Sequence, residues 1–264
     1  MKFSQLLANR LAHPLTKGLS LDDPRTTELR TTIIQQKSFL RQLYESWYRL
    51  LASLIPLGDG VVLEVGSGGG FLKQLHRDAL ASEVFFTPHI DIALNAMALP
   101  FQSEAIKSIL MVDVLHHIPE PALFFQQAAK CVRSGGRCLL IEPWNTPWSA
   151  WVFQHLHHEP FIPSGSWTIP PTGPLSGANG ALPWIVFERD RLLFESNHPE
   201  FEVRAIQPIM PIAYLLSGGI SLRALVPGWV YPIVRFLERL LGERQHAMFA
   251  LVALEYKSRS ASAP

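Results

Sequence analysis

The 264-residue chain predicts an α/β fold on a parallel sheet, with a helical N-terminal cap and an insertion after the strand that ends at Glu142. Three observations predict it. From Val61 onward, short apolar runs alternate with helical stretches: 61–65, a helix from 70, 79–83, 106–112, a helix over 121–132, and 137–141. The first run opens into a glycine-rich turn that feeds a helix, which brings backbone N–H groups close to a ligand. Composition agrees, since 48 % hydrophobic and 17 % charged residues are enough for one sizeable core.

Taken in order, residues 1–11 are apolar but broken by Asn9 and Arg10, with no small-residue cleavage site, so they do not read as a signal peptide. Residues 23–54 read as helix, with Asp23 as N-cap and Pro24 in the first turn. Ile33, Phe39, Leu40, Leu43, Trp47, Leu50, Leu51 and Leu54 recur near a 3.6 period. Residues 56–60 end this cap, which divides the chain into a helical cap (1–58) and a domain (59–264).

The sheet domain carries an insertion over 144–199. Its first part, 144–184, holds five of the seven tryptophans, together with many prolines and glycines. After a short helix near 147–158, residues 159–183 read as irregular. Loops that long are lids, binding loops or packed Ω-loops. A lid would hinge at 176–180. Strands resume at 201–206 and 248–256. Between them, 229–241 is amphipathic, and the expectation is that Ile233, Phe236, Leu237, Leu240 and Leu241 face the core, with Arg235, Glu238 and Arg239 outward. The uncharged stretch 205–222 contains Pro208, Pro211 and Gly218–Gly219, which a lipid-spanning helix could not accommodate. No transmembrane segment is expected, and peripheral membrane contact stays open.

A formal charge of +1 with no basic stripe excludes a nucleic-acid footprint, so the partner is a small-molecule or amphipathic acceptor. Cys131 and Cys138 have no CxxC partner and read as reduced, packed thiols, which suits a cytoplasmic setting. Oligomeric state is not legible.

The segment from Val61 to Phe71, VVLEVGSGGGF, is the most informative. A dinucleotide fingerprint needs a small residue where Phe71 stands, and a P-loop needs Gly-Lys-Ser/Thr, which is absent. What remains is E-x-G-x-G-x-G from Glu64 to Gly70, with Ser67 inside it. It resembles the first motif of class I (Rossmann-like) S-adenosylmethionine-dependent methyltransferases, and the whole set is most similar to their type 11 group. Glu83 stands where the family places an acid for the ribose hydroxyls. LNAMALPF (94–101) is similar to the family's G-D-A-x-x-L-P-F, with Asn95 in place of the Asp that meets adenine, followed by Ala96. MVDVLHHIP (111–119), with Asp113, resembles the fourth strand and its LHH ending. RSGGRCLLIEP (133–143) resembles the turn and fifth strand that follow.

The resemblance implies a Rossmann-like methyltransferase sheet that binds S-adenosyl-L-methionine through Glu64, Gly66, Ser67, Gly68, Gly70, Glu83, Asn95, Ala96 and Asp113. It implies methyl transfer to a small or amphipathic acceptor, lipid-linked or aromatic among them. In open α/β sheets ligands bind beyond the carboxyl ends of the strands. His116, His117 and Glu142 are therefore the candidate catalytic residues, each with a structural alternative: one histidine capping the loop before Pro119, Glu142 holding backbone. His155, His157, His158 and Glu159 match no recognised zinc spacing, so no metal is expected. Two other readings stand beside methyl transfer: a non-catalytic protein of this fold acting as a partner subunit, and a nicotinamide-dependent reductase, which Phe71 opposes.

Overall fold

A computed structural model describes residues 22–257, apart from 69, 70, 158, 171 and 174. Residues 1–11, Gly70 and His158, for which the sequence raised expectations, thus lie outside the described residues. Two helices, α1 (Pro24–Gln36) and α2 (Ser38–Ser53), precede the sheet. Asp23 caps α1 by accepting from the Arg25 N–H at 2.9 Å, with Pro24 in the first turn.

The single helix expected over 23–54 is broken at Lys37, whose backbone is extended (φ −89°, ψ 90°). The physical reason lies in its side chain. Lys37 is buried, and its ammonium donates to the carbonyls of Gly219 and Leu222, the latter at 2.8 Å. Burial pulls its pKa down to about 8. The break lets α2 lay Phe39, Leu40, Leu43, Trp47 and Leu51 on the sheet.

The sheet comprises β1 (Val61–Val65), β2 (Leu80–Glu83), β3 (Ile92–Ala93), β4 (Ile106–Val112), β5 (Val132–Pro143), β6 (Phe201–Ile209) and β7 (Phe249–Tyr256). Its order is β3-β2-β1-β4-β5-β7-β6. The first five strands are parallel, and β7 runs antiparallel between β5 and β6. Helices α3 (Leu72–Leu75) and α4 (Pro121–Cys131) follow β1 and β4. Gly135 (φ +70°) turns the chain inside the long β5, and the pairing with β4 jumps from Val132 to Arg137 across it. Cores form on both faces. One is built around Trp47, Leu110 and Phe249, the other around Phe124, Phe125, Phe187 and Phe194.

After β5 come α5 (Pro147–Leu156), α6 (Leu182–Trp184) continuing through a π-turn at Ile185–Arg189, and α7 (Arg191–Asn197). The irregular stretch between α5 and α6 is tied down, and the expected hinge is one of its anchors. Asn179 is buried; its side chain bonds both backbone groups of Ile162, and its N–H donates to the His116 carbonyl at 3.0 Å. The Ile169 N–H reaches the Pro119 carbonyl, and the Trp167 indole reaches Asp190. Buried polar groups need such partners, and here the loop supplies them.

The remaining helices are α8 (Ala213–Ser217), α9 (Tyr231–Leu241) and α10 (Glu243–His246). Helix α9 reverses the expectation from its pattern. Ile233, Phe236, Leu237 and Leu240 are exposed, as is Trp229 just before it, while Glu238 is fully buried; the Leu241 side chain is not among those described. The cause is a capping demand. Glu238 accepts from the Ile212 and Ala213 N–H groups at 2.6 Å each and pairs with Arg235. A buried carboxylate satisfying a helix start fixes which side turns inward. Among the described residues no helix is long and apolar enough to cross a membrane.

Candidate active site

The carboxyl ends of β1, β2 and β4 open on a cavity of about 390 Å³. The sheet order places the turns after β2 and β3 on one side of the β1 glycine turn and the turn after β4 on the other. Gly66 (φ +69°) and Gly68 (φ +54°) both need the left-handed backbone that glycine takes without strain. A Cβ on Gly66 would lie 2.4 Å from Val114 Cγ2, whereas a Cβ on Gly68 would meet nothing and project into open space. Phe71 is buried and packs on Tyr44 and Tyr48, which locks the cap helix α2 over the turn.

Ser67 is held by its N–H to the Ser82 carbonyl at 2.9 Å, and its buried hydroxyl has no partner. Glu83 accepts from the Gly68 N–H at 2.8 Å and the Val84 N–H at 3.2 Å. Burial nevertheless holds its carboxyl above the usual range. Asn95 lines the cavity with Ala96, and its amide oxygen already accepts from the Met97 N–H at 2.9 Å. Asn95 thus serves an Asx-turn, with one lone pair left on the oxygen.

Asp113 has a positive φ (+63°), rare for a residue with a Cβ and concentrated at functional sites. Its carboxyl lines the cavity, and burial pushes its pKa up to about 6. His117 also lines the cavity. Its Nδ1 lies 3.1 Å from the Gly177 carbonyl, which assigns the proton to Nδ1 and the lone pair to Nε2. Burial and then neighbouring His116 lower its pKa to about 3.

Three expected site residues stand elsewhere. Glu64 is buried beneath the turn, outside the cavity lining, and burial raises its pKa to about 8. Glu142 and His116 are fully buried behind the cavity wall. Glu142 is occupied in full: Oε1 accepts from the Val114 and Leu115 N–H groups at 2.8 and 2.7 Å, and Oε2 meets His116 Nδ1 at 2.8 Å. Neither residue lines the cavity. Burial opposes a charge on His116, but Glu142 and Glu159 hold its pKa well above the usual histidine range.

Sequence reasoning missed the cap's share of the cavity. Thr27, Arg30, Thr31 and Ile34 line it from α1, and Tyr44 and Tyr48 from α2. The signal was present: 27, 30, 31 and 34 form one i, i+3, i+4, i+7 stripe that carries polar groups on a helix flanking the domain. Leu175 and Ile220 complete the walls from the insertion and from the loop after α8.

The unpartnered Ser67 hydroxyl and the open space over Gly68 fit a ligand that approaches the turn's backbone. A parallel sheet with this glycine turn, a strand-end acid at Glu83 and an Asx-turn at Asn95 defines a Rossmann-like nucleotide-type cofactor site. Residues 38–168 match the family model described as "Methyltransferase domain". This segment is a methyltransferase domain of the class I, Rossmann-like fold, with S-adenosyl-L-methionine as its cofactor.

No curated protein matches the chain. Among solved structures, it is similar to geranyl diphosphate C-methyltransferase from Streptomyces coelicolor A3(2), crystallised with Mg²⁺, geranyl diphosphate and S-adenosyl-L-homocysteine. That match has 13 % identity over 97 % of this chain and 99 % of that one, with a TM-score of 0.53. It is also similar to a chain of the Haloferax volcanii complex of the Trm112 methyltransferase activator with a methyltransferase. There the identity is 12 % over 91 % and 99 % of the two chains, with a TM-score of 0.55. At such identities the likeness is one of fold.

Proposed function

We propose that the enzyme methylates an amphipathic acceptor, an apolar body carrying a polar or anionic end. The observation that supports this is the mixed wall of the cavity. Ile34, Tyr44, Ile118, Leu175 and Ile220 offer apolar surface, while Arg30, Thr27 and Thr31 offer a cation and two hydroxyls from one helix. Such a mixture suits a ligand fixed by a few polar contacts and held by apolar area. Geranyl diphosphate, bound in the Streptomyces enzyme of the same fold, is a molecule of that kind. The exposed apolar face of α9 supports peripheral contact with the surface from which such an acceptor would come.

S-Adenosylmethionine supplies an activated methyl group on its sulfonium. In this reading Gly66, Ser67, Gly68, Glu83, Asn95 and Ala96 hold it, and the chain's main task is alignment, worth up to roughly 7–11 kcal/mol of barrier. Asp113 is the proton-accepting group at the acceptor side of the sheet, and His117 stands beside it as a neutral imidazole. His116 and Glu142 set the orientation of the turn that carries His117.

The test is labelled methyl transfer to acceptors that share one polar head and differ in chain length. The expected result is that kcat/KM rises with length, by up to about fourfold per buried CH₂. Equal turnover of the shortest, freely soluble members would refute the reading.

A further inference from the structure

We infer that His116, His117 and Glu159 form a binding site for a divalent transition metal, with Zn²⁺ the best match to the donors. One ligand atom of each lies within 4.8 Å of the others. His116 Nε2 is 3.5 Å from Glu159 Oε2, and His117 Nε2 is 3.8 Å from the other oxygen, Oε1. A tetrahedral zinc with bonds of roughly 2.0–2.1 Å separates its ligands by about 3.4 Å, so the widest of these separations, within 4.8 Å, closes by about 1.4 Å at most on binding.

Two further observations point to a ligand. His116 Nε2 is completely buried and has no hydrogen-bond partner. The far nitrogen of each ring is held as in metal sites: His116 Nδ1 on the Glu142 carboxylate at 2.8 Å, His117 Nδ1 on the Gly177 carbonyl at 3.1 Å. Metal-binding imidazoles regularly donate their second N–H to a carboxylate or a backbone carbonyl, which fixes the tautomer and aims the lone pair. Here both rings are so held, and both aim Nε2 at Glu159.

The fourth position is also provided for. Asp113 Oδ1 is 3.9 Å from His116 Nε2, whereas His157 Nδ1 already accepts from the Glu159 N–H at 3.3 Å. A small cavity of about 10 Å³ lies against Asp113, His157 and Glu159, room for a single water. A site with three protein ligands and one water is the open arrangement that zinc takes in catalysis.

His117 and Asp113 reach the main cavity, so the metal would face the acceptor's heteroatom and lower its pKa as a Lewis acid. That role rests on the proposed methyl transfer; the binding site itself does not.

The experiment uses the full chain, stripped with a chelator and titrated with Zn²⁺ or Co²⁺. About one metal per chain should survive gel filtration, and the Co²⁺ form should show the intense visible bands of a four- or five-coordinate site. Glu159→Gln and His117→Gln should each weaken binding on the order of 100-fold or more, and Glu142→Gln about 10–100-fold through the second shell. His155→Gln, exposed on α5, should bind as wild type. Calorimetry with S-adenosylhomocysteine verifies that each variant is folded. Should a variant fail that control, the wild-type melting temperature decides: it should rise with Zn²⁺ and fall back on chelation. The site is overturned if the wild type retains no metal, if Glu159→Gln retains as much, or if the Co²⁺ spectrum is that of the hexa-aqua ion. Metal binding without any acceptor turnover would leave the site standing and sink only the proposed function.

Discussion

Replacing Glu142 by leucine removes the acceptor of three hydrogen bonds at once, from the Val114 and Leu115 N–H groups and from His116 Nδ1. All of this happens where the carboxylate is fully buried, so water cannot take its place. Each orphaned buried donor costs about 1–3 kcal/mol, so the gross loss is about 3–9 kcal/mol. The leucine returns roughly 1.5–3 kcal/mol by burying its side chain. The net loss of about 2–6 kcal/mol is a large share of a stability of about 5–15 kcal/mol. In a domain of this size that lowers Tm by roughly 4–24 °C.

Glutamine at the same position separates two contributions. Its oxygen can keep both N–H donors, which share Oε1, while its amide would face His116 Nδ1. The ring must then accept at Nδ1 and carry its proton on Nε2. The expected cost is only about 1–2 kcal/mol, the scale of one mispaired hydrogen bond. Urea denaturation followed by circular dichroism measures both. A leucine variant within about 0.5 kcal/mol of wild type would refute the claim that Glu142 holds the turn after β4.

Glu238→Leu should cost about 2–4 kcal/mol in the same assay, through the Ile212 and Ala213 N–H groups, while Phe236→Ser should stay within about 0.5 kcal/mol; equal effects would mean the orientation of α9 is wrong. Gly68→Val should abolish calorimetric binding of S-adenosylhomocysteine, because a β-branched residue resists φ +54° and its side chain enters the ligand's space; undiminished binding would displace the cofactor from the turn. Asn95→Asp should bind the same ligand as well as wild type or about 1 kcal/mol better, since a charged acceptor strengthens the bond to the adenine amino group, whereas Asn95→Leu should lose affinity; unchanged binding by the leucine variant would take Asn95 out of the site. Glu64 titrates near pH 8 when folded against about 4.5 when unfolded, so its contribution to stability is fully present below pH 4.5 and is lost as pH rises through 8; Glu64→Gln should flatten that stretch of the stability profile, and an unaltered slope would refute the assignment.

How much of this was legible depended on whether a signal was local. β1 and β4 were readable to the residue, because both are mostly apolar, β-branched-rich runs that turn residues bound. The backbone shape of the turn was legible at Gly66 and Gly68, both of which take a positive φ and line the cavity. What failed was whatever a distant partner decides. Lys37 breaks a helix because of carbonyls about 180 residues further on. His116 and Glu142 sit at strand ends, as expected, yet face each other behind the wall, because the backbone of the β4 turn needs an acceptor more than the cavity does. The meeting of Glu159 with His116 and His117 was not legible either, because those histidines come from the turn after β4, more than 40 residues earlier.

The inverted helix α9 carries a consequence for how this surface can change. Because Glu238 anchors it from the inside, the apolar residues on its outer side contribute little to keeping the chain folded. Substitutions at Trp229, Ile233, Phe236 or Leu240 therefore alter what the molecule meets and leave how it stands nearly untouched. Adhesion and stability are written in separate residues, so this patch can be retuned, or erased to improve solubility, without reopening the fold.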